Sequence, residues 1–282
     1  MILATSSAAL PARDARTRAV VMTMGALHEG HLALVRRARE VADEVIVTIF
    51  VNPLQFNDPG DLERYPRTLE ADLALLEPLG VDAVFAPSAE VMYPAQPVVT
   101  VSAGAIGDVL EGAHRPGHFD GVLTVVLKLL HLTQPDVALF GAKDAQQVIA
   151  VRAMVRDLAV PVQIEGVPTV RDEDGLAKSS RNVHLSAAER ASALSLSRAL
   201  FAARDAARNG LSVDTVVAAG RAVMEEATRA SADVTVDYLE ALDPWSAAPL
   251  AGDYRGEAVI AVAAHVGATR LIDNVTVTIG KE

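Results

Sequence analysis

The sequence predicts an α/β protein: a Rossmann-like, doubly wound parallel sheet with a second, smaller α+β C-terminal domain. Three observations carry this expectation. Short β-rich runs alternate with helical patterns through residues 1–169. Residues 45–51 (VIVTIFV) form an unbroken apolar run, as expected of a parallel strand covered on both faces. After Pro168 the alternation stops, and two Ala-rich helical stretches precede three strand candidates. Strand–helix–strand units are right-handed and build one parallel sheet, whereas helices followed by strands read as α+β.

The elements follow in order. Residues 19–23 (AVVMT) read as a buried strand. A helix over about 30–42 places Leu34, Val35, Ala38 and Val41 on one face, with Arg36, Arg37, Arg39 and Glu40 elsewhere. The strand at 45–51 closes on Asn52-Pro53. A helix over 68–79 stops at Gly80 and leads into a short strand at 82–85. A helix at 119–132, a strand at 137–140, a helix at 145–158 and a strand at 162–167 complete the first domain. Residues 171–182 (RDEDGLAKSSRN) are polar and turn-rich, which fits a hinge or loop. Helices at 187–208 and 213–229 and strands at 234–240, 258–264 and 275–279 make a C-terminal lid domain over 170–282. The sequence shows no internal repeat.

Composition narrows the function. A net charge of −11 argues against a nucleic-acid surface, which needs a basic face, but not against a nucleotide in one basic pocket. With no cysteine there is neither disulfide nor thiolate chemistry, consistent with a cytoplasmic protein. The N-terminal stretch lacks the basic leader and apolar block of a signal peptide. The apolar runs VIVTIFV and VLTVVLKLLHL are too short to span a membrane. Asn274-Val275-Thr276 matches a glycosylation sequon, a coincidence in such a chain.

Ligands of open α/β sheets bind beyond the carboxyl ends of the strands. Three polar clusters follow strands here: TMGALHEGH at 23–31, NPLQF at 52–56 and GAKDAQQ at 141–147. His28 and His31, at a helix start, project to one side beside unpaired backbone N–H groups and the positive end of the helix dipole. That arrangement suits phosphate, with imidazoles donating to charge on a leaving pyrophosphate. Gly25 and Gly30 would allow close backbone approach. A helix-capping histidine beside a surface histidine is the plainer alternative. A zinc-protease pattern would need its second histidine at position 32, which is Leu32. Lys143 could neutralise phosphate, and Asp144 could be no more than an N-cap. Lys178, Ser179, Ser180 and Arg181 read as a mobile phosphate clamp or as an ordinary basic loop. His114, Arg115 and His118 form a further polar cluster before a helix.

Taken in order, TMGALHEGHLALV, IFVNPLQF, DLERYPRTLEADL, EGAHRPGHFDGVLTVVLKLL, PDVALFGAKDAQQ, GVPTVRDEDGLAKSSRN and the final TRLIDN resemble the pantoate–β-alanine ligases (pantothenate synthetases) over nearly the whole chain. The resemblance implies two steps. Pantoate and ATP form pantoyl adenylate and pyrophosphate with Mg²⁺ assistance, and β-alanine then displaces AMP to give pantothenate. It implies that His28, His31, Lys143, Ser179, Ser180 and Arg181 act on the phosphates. Met24, Gly25, Gly141, Asp144, Val170 and Lys178 would join them in binding ATP. Gln55 and Gln147, with Met24, would hold pantoate, and Asp72 would help place the metal. Tyr65, Arg115 and His118 would lie near the site, and a homodimer is expected.

Four positions depart from the family pattern: Met22 stands where proline is usual, Ala142 for an acid, Ala145 for an aromatic residue, and Lys178 for methionine. None of these removes a residue assigned to phosphate or pantoate. Ala142 and Ala145 would leave the Lys143 loop less packed, and Lys178 adds a positive charge. Two alternatives accompany this reading: a phosphopantetheine adenylyltransferase-like enzyme, and a catalytically weakened nucleotide-binding homologue.

Overall fold

The computed structural model describes residues 1–280. The chain divides into two compact units, the first comprising Met1–Gly141 with Ala150–Val167, the second Ala142–Ile149 with everything from Pro168 onward. The sequence reading placed residues 142–149 in the first domain; they group instead with the second unit. Among the described residues no helix is long and apolar enough to cross a membrane.

The first unit runs β1 (Ile2–Ala4), β2 (Arg18–Thr23), α1 (Glu29–Val41), β3 (Glu44–Ile49), α2 (Pro59–Arg64), α3 (Leu69–Leu76), β4 (Ala83–Phe85), α4 (Ala89–Met92), α5 (Glu111–His114), α6 (His118–Thr133), β5 (Val137–Gly141), α7 (Ala145–Asp157, of which the part from Ala150 onward lies in this unit) and β6 (Gln163–Val167). Its six strands are all parallel, in the order β1-β4-β3-β2-β5-β6. Successive strands β2, β3 and β4 build outward on one side, and β5 and β6 on the other. The direction therefore reverses at the β2–β5 seam, as in a doubly wound Rossmann-like fold.

Alternating side chains cover both faces. Ala19, Val21, Val45, Val47, Val84 and Leu139 pack with Leu34, Val35 and Ala38 of α1. Val20, Ile46, Ala83, Phe85 and Ala138 point the other way and are equally buried. The predicted helix at 68–79 becomes α3 plus a 3₁₀ turn, Glu77–Leu79. Pro78 lacks the N–H needed to continue an α-helix. The edge strand β1 and the four- to six-residue helices α2, α4 and α5 were not predicted, because segments this short show no periodicity.

The three central strands are fastened at their amino ends by one buried guanidinium. Arg18 is 2% exposed and opens β2; its Nε donates to Glu44 Oε2 at 2.6 Å at the start of β3. Nη1 donates to Thr133 O at 2.7 Å, at the end of the helix leading to β5. Nη2 donates to Pro11 O at 3.0 Å and Ala12 O at 3.1 Å. Asp136 accepts from the Arg18 backbone N–H at 2.7 Å and pairs with Arg13.

The second unit adds α8 (Ala187–Arg208), α9 (Val213–Ala230), β7 (Val234–Leu242), β8 (Gly256–Val266) and β9 (Thr269–Ile279). The three strands form an antiparallel sheet in the order β7-β8-β9. Leu196, Leu200, Val216 and Met224 of the two helices pack on Leu239, Ile260, Val262 and Leu271 of the sheet. Ser186 caps α8 reciprocally with Glu189, and Ser212 caps α9, which sets both helix starts. Strand β9 begins at Thr269, earlier than the predicted 275, because the polar residues Arg270, Asp273 and Asn274 hide its alternation.

Replacing Arg18 with methionine leaves the Glu44 carboxylate buried with only the exposed Arg16 beside it. The expected loss is about 3–5 kcal/mol in urea unfolding. The double replacement R18M/E44L should recover most of that loss.

Candidate active site

On the first unit, β2 and β3 pair in register to Thr23–Ile49, and the Val21–Leu139 pair brings the end of β5 level with them. The carboxyl ends of three adjacent strands thus share one edge. The segment leaving β2 turns through two left-handed residues, Gly25 (φ +84°) and Ala26 (φ +51°). Position 25 requires glycine twice over, for this φ and because a Cβ would lie 3.0 Å from Asp72 Oδ2.

Asp72 of α3 holds that turn. It is 2% exposed; Oδ2 accepts from Ala26 N at 3.0 Å and from Thr68 Oγ1 at 3.2 Å, and Oδ1 from Leu27 N at 2.8 Å. A carboxylate buried with both oxygens accepting hydrogen bonds does not fit a protein-built Mg²⁺ ligand, which needs lone pairs open to the ion. Among the described residues no three His, Cys, Asp or Glu side chains gather as a metal site.

The turn delivers His28 as the N-cap of α1. Its Nδ1 accepts from Gly30 N at 3.1 Å, and His31 Nδ1 accepts from His28 N at 3.3 Å, a reciprocal capping box. The rings lie 4.2 Å apart. An Nδ1 that accepts cannot carry a proton, so both imidazoles are neutral with their N–H on Nε2. The capping alternative and the phosphate reading are therefore compatible: capping consumes Nδ1 and sets a donor at Nε2.

Gln55, in the 3₁₀ turn Pro53–Gln55 after β3, is fixed from both ends. Asn52, 1% exposed, donates from Nδ2 to Gln55 Oε1 and to Gly121 O, each at 3.0 Å. Its Oδ1 accepts from Tyr93 Oη at 3.1 Å and Leu54 N at 3.3 Å. With its oxygen engaged, Gln55 turns Nε2 toward Met24 Sδ, 3.1 Å away, and so presents N–H donors. Burial raises the Tyr93 phenol to about 12, keeping it a donor. His118 Nδ1 donates to Gln55 O at 2.8 Å while Arg115 Nη1 donates to His118 Nε2 at 3.0 Å, so His118 is neutral too. Gly121 lets this turn seat on α6, since a Cβ there would sit 2.2 Å from Leu54 O. Tyr65 packs edge-on against Phe56. Tyr93 and Thr68 were given no site role from sequence, and Asn52 stood out only as the first residue of the NPLQF cluster and a strand stop, with no role of its own.

On the second unit, Lys143 and Asp144 lie in the 3₁₀ turn Ala142–Asp144, and Gln147 follows in the first turn of α7. Residues 170–178 form a tight hairpin: Lys178 N donates to Val170 O at 2.9 Å and Asp172 N to Leu176 O at 2.8 Å. The hairpin ends at Ser179, whose Oγ caps the 3₁₀ turn Ser180–His184 by accepting from Arg181 N. Ser180 and Arg181 are exposed. The charge that Lys178 was expected to add is paired: its Nζ lies 2.6 Å from Asp172 Oδ1, and Arg190 holds the other oxygen at 3.0 Å. The Lys178 hydrogen bond, ahead of that from Arg190, outweighs burial and holds the Asp172 carboxyl below its usual value.

The structure thus gathers Met24, Gly25, His28, His31, Gln55 and Asp72 on the first unit. It places Lys143, Asp144, Gln147, Val170 and Lys178 through Arg181 on the second, with Gly141 closing β5. Asn274, the sequon asparagine, is 7% exposed with its amide hydrogens engaged, which is incompatible with glycosylation of the folded chain.

Two outcomes are expected. Asp72→Asn turns a donor against one loop N–H and should cost about 1–3 kcal/mol in urea unfolding. The depressed Asp172 carboxyl stabilises fully above its ordinary value of 3.8, and this is lost as pH falls through its lower folded value. The stability difference between wild type and Asp172→Asn should hold from pH 7 to about 5 and shrink below.

Comparison with known proteins agrees with this architecture. The family described as pantoate-beta-alanine ligase matches residues 3–276. A pantothenate synthetase of Thermobifida fusca is 58% identical over 93% of this chain and 90% of its own length. One from Streptomyces avermitilis is 52% identical, covering 93% of each. Among solved structures, a pantothenate synthetase of Thermus thermophilus superposes with a TM-score of 0.88 at 48% identity, over 98% of this chain and 99% of that one. A pantoate-beta-alanine ligase of Francisella tularensis, complexed with beta-gamma ATP and beta-alanine, gives 0.77 at 32% identity over 98% and 97%. From its strand order to its histidine pair, this chain belongs to the pantoate–β-alanine ligase family.

Proposed function

We propose that this chain condenses pantoate with β-alanine at the expense of ATP, forming pantothenate, AMP and pyrophosphate through pantoyl adenylate. The observation that carries the reading is the His28–His31 pair, whose capping hydrogen bonds set a neutral imidazole with an Nε2 donor on each ring at the start of α1. Neutral donors beside the positive end of a helix suit the oxygens of a triphosphate and the charge that grows as pyrophosphate leaves.

In the first step a pantoate carboxylate oxygen attacks the α-phosphorus, and the bond from that phosphorus to the bridging oxygen breaks. His28 and His31 stabilise the departing charge, and the Met24–Gly25 segment lets the nucleotide approach. Gln55 offers N–H donors to pantoate, with Gln147 assigned to the same substrate. Lys143, Ser179, Ser180 and Arg181 neutralise or hydrogen-bond phosphate oxygens, while Gly141, Asp144, Val170 and Lys178 contact the nucleotide. In the second step the amine of β-alanine attacks the acyl carbon, the bond to the AMP oxygen breaks, and the amine releases its proton. Both nucleophiles belong to substrates, so the protein needs only to position and to neutralise.

Magnesium bound with the nucleotide would offset triphosphate charge, and no residue of this chain is assigned to hold it. No step is assigned to an Asp72-bound ion; Asp72 serves the turn before His28. The reading includes a cytoplasmic homodimer with residues 170–282 as the lid domain.

The test supplies ATP, Mg²⁺, pantoate and β-alanine and follows all three products. Equimolar AMP and pantothenate are expected; absence of AMP from a folded, ATP-binding protein refutes the reading. His31→Ala should slow adenylate formation by about 10²–10³-fold while slowing β-alanine attack on supplied pantoyl adenylate far less. Equal losses in both half-reactions would remove the role assigned to His31.

A further inference from the structure

The TRLIDN stretch near the C-terminus carries no role in the reaction described above, yet it holds two of the most buried polar residues of the second unit. Asp273 is 4% exposed and Asn274 is 7% exposed. Successive side chains of a strand leave by opposite faces, so two neighbours on β9 can reach two different elements.

Asn274 reaches the Lys143 turn. Its Nδ2 donates to Ala142 O at 2.8 Å and to Lys143 O at 2.7 Å, using both amide hydrogens on successive carbonyls. The two flanking side chains that could pack this turn, Ala142 and Ala145, end at Cβ. The turn is thus held through its carbonyls, from a strand far along the chain.

Asp273 reaches the hairpin. Its Oδ2 accepts from Arg171 Nη1 at 2.5 Å and its Oδ1 from Arg171 Nη2 at 3.0 Å, a bidentate pair with little freedom to rotate. Arg171 Nη1 also donates to Gly175 O at 3.1 Å, closing the hairpin that runs into Ser179, Ser180 and Arg181. The two braces are joined, because Asn274 N donates to Asp273 Oδ1 at 2.8 Å.

We infer that Asp273 and Asn274 are positioning residues for phosphate handling, Asn274 acting through Lys143 and Asp273 through the hairpin that presents Arg181. The inference rests on the ligase reading, and it divides the work within one dipeptide. A merely stabilising pair would slow every step alike and would couple to neither cation in particular.

The experiment is a set of double-mutant cycles on the full-length enzyme, with each half-reaction measured separately. Asn274→Ala is expected to slow adenylate formation about 10–100-fold, as loss of an orienting partner does, with the β-alanine step changed less than about threefold. In a Lys143→Ala background the same change should add less than about threefold, and in an Arg181→Ala background it should act in full. Asp273→Asn should show the reverse pattern. Full multiplication of the Asn274 and Lys143 losses, or equal slowing of both half-reactions, overturns the inference. If Asn274→Ala fails to unfold cooperatively, Asn274→Ser, which keeps one donor, replaces it in every cycle.

Amide hydrogen exchange of the unliganded protein gives a readout independent of turnover. Residues 142–145 should exchange at least about tenfold faster in Asn274→Ser, with β2 unchanged. Unchanged exchange there overturns the brace whether or not the wild type forms AMP. A wild type that forms no AMP overturns the ligase reading alone.

Discussion

The arrangement of the first unit depends on the Arg18 guanidinium. Burying a cation is costly, and a single acidic partner rarely compensates it. Here the donors of one side chain serve Glu44, Thr133, Pro11 and Ala12, so the charge is paired and four of its five hydrogens are used. Those acceptors sit at the start of β3, at the end of the helix before β5, and on the segment before β2. One residue therefore aligns the amino ends of three adjacent parallel strands. Their carboxyl ends, where TMGALHEGH and NPLQF begin, are aligned as a consequence.

At the carboxyl edge of the first unit, the recurring device is a buried polar side chain that satisfies backbone groups and thereby orients a neighbour. Asp72 takes two loop N–H groups and delivers His28 to the helix start. Asn52 donates to the Gln55 oxygen and leaves the Gln55 amide nitrogen facing Met24. The capping hydrogen bonds of His28 and His31 do more than end a helix, for they decide which nitrogen of each ring carries the proton. Electrostatic stabilisation of a leaving phosphate requires donors oriented before the reaction begins, and these contacts supply that order without any nucleophilic side chain.

The departures from the family pattern find local compensation. Lys178 introduces a charge, but Asp172 lies against it, and Asp172 is held also by Arg190. Ala142 and Ala145 strip packing from the Lys143 turn, and Asn274 grips that turn by its carbonyls. Both compensations involve backbone or short-range contacts inside the second unit. No structural consequence of Met22 is visible beyond its place on β2.

Much of this was legible in the chain. The periodicity of 30–42, the apolar run at 45–51 and the Gly80 stop located α1, β3 and the end of the 3₁₀ turn that follows α3, because long segments average over local exceptions. The motif residues His28, His31, Gln55 and Lys143 stood out because each follows a strand. Asp72 was noticed but given a metal; only the folded chain shows its oxygens on the Ala26 and Leu27 N–H groups. Tyr93 and Arg18 were silent, and Asn52 and Asn274 showed only as members of NPLQF and of TRLIDN with its sequon, since a buried polar residue looks in sequence like a surface one. Sequence alone determined the order of elements and the chemical groups available, since both follow from local pattern and residue type. Tertiary structure alone decided which nitrogen, oxygen or carbonyl each group faces, since hydrogen-bond partners as distant as Asn274 and Lys143 meet only through the fold.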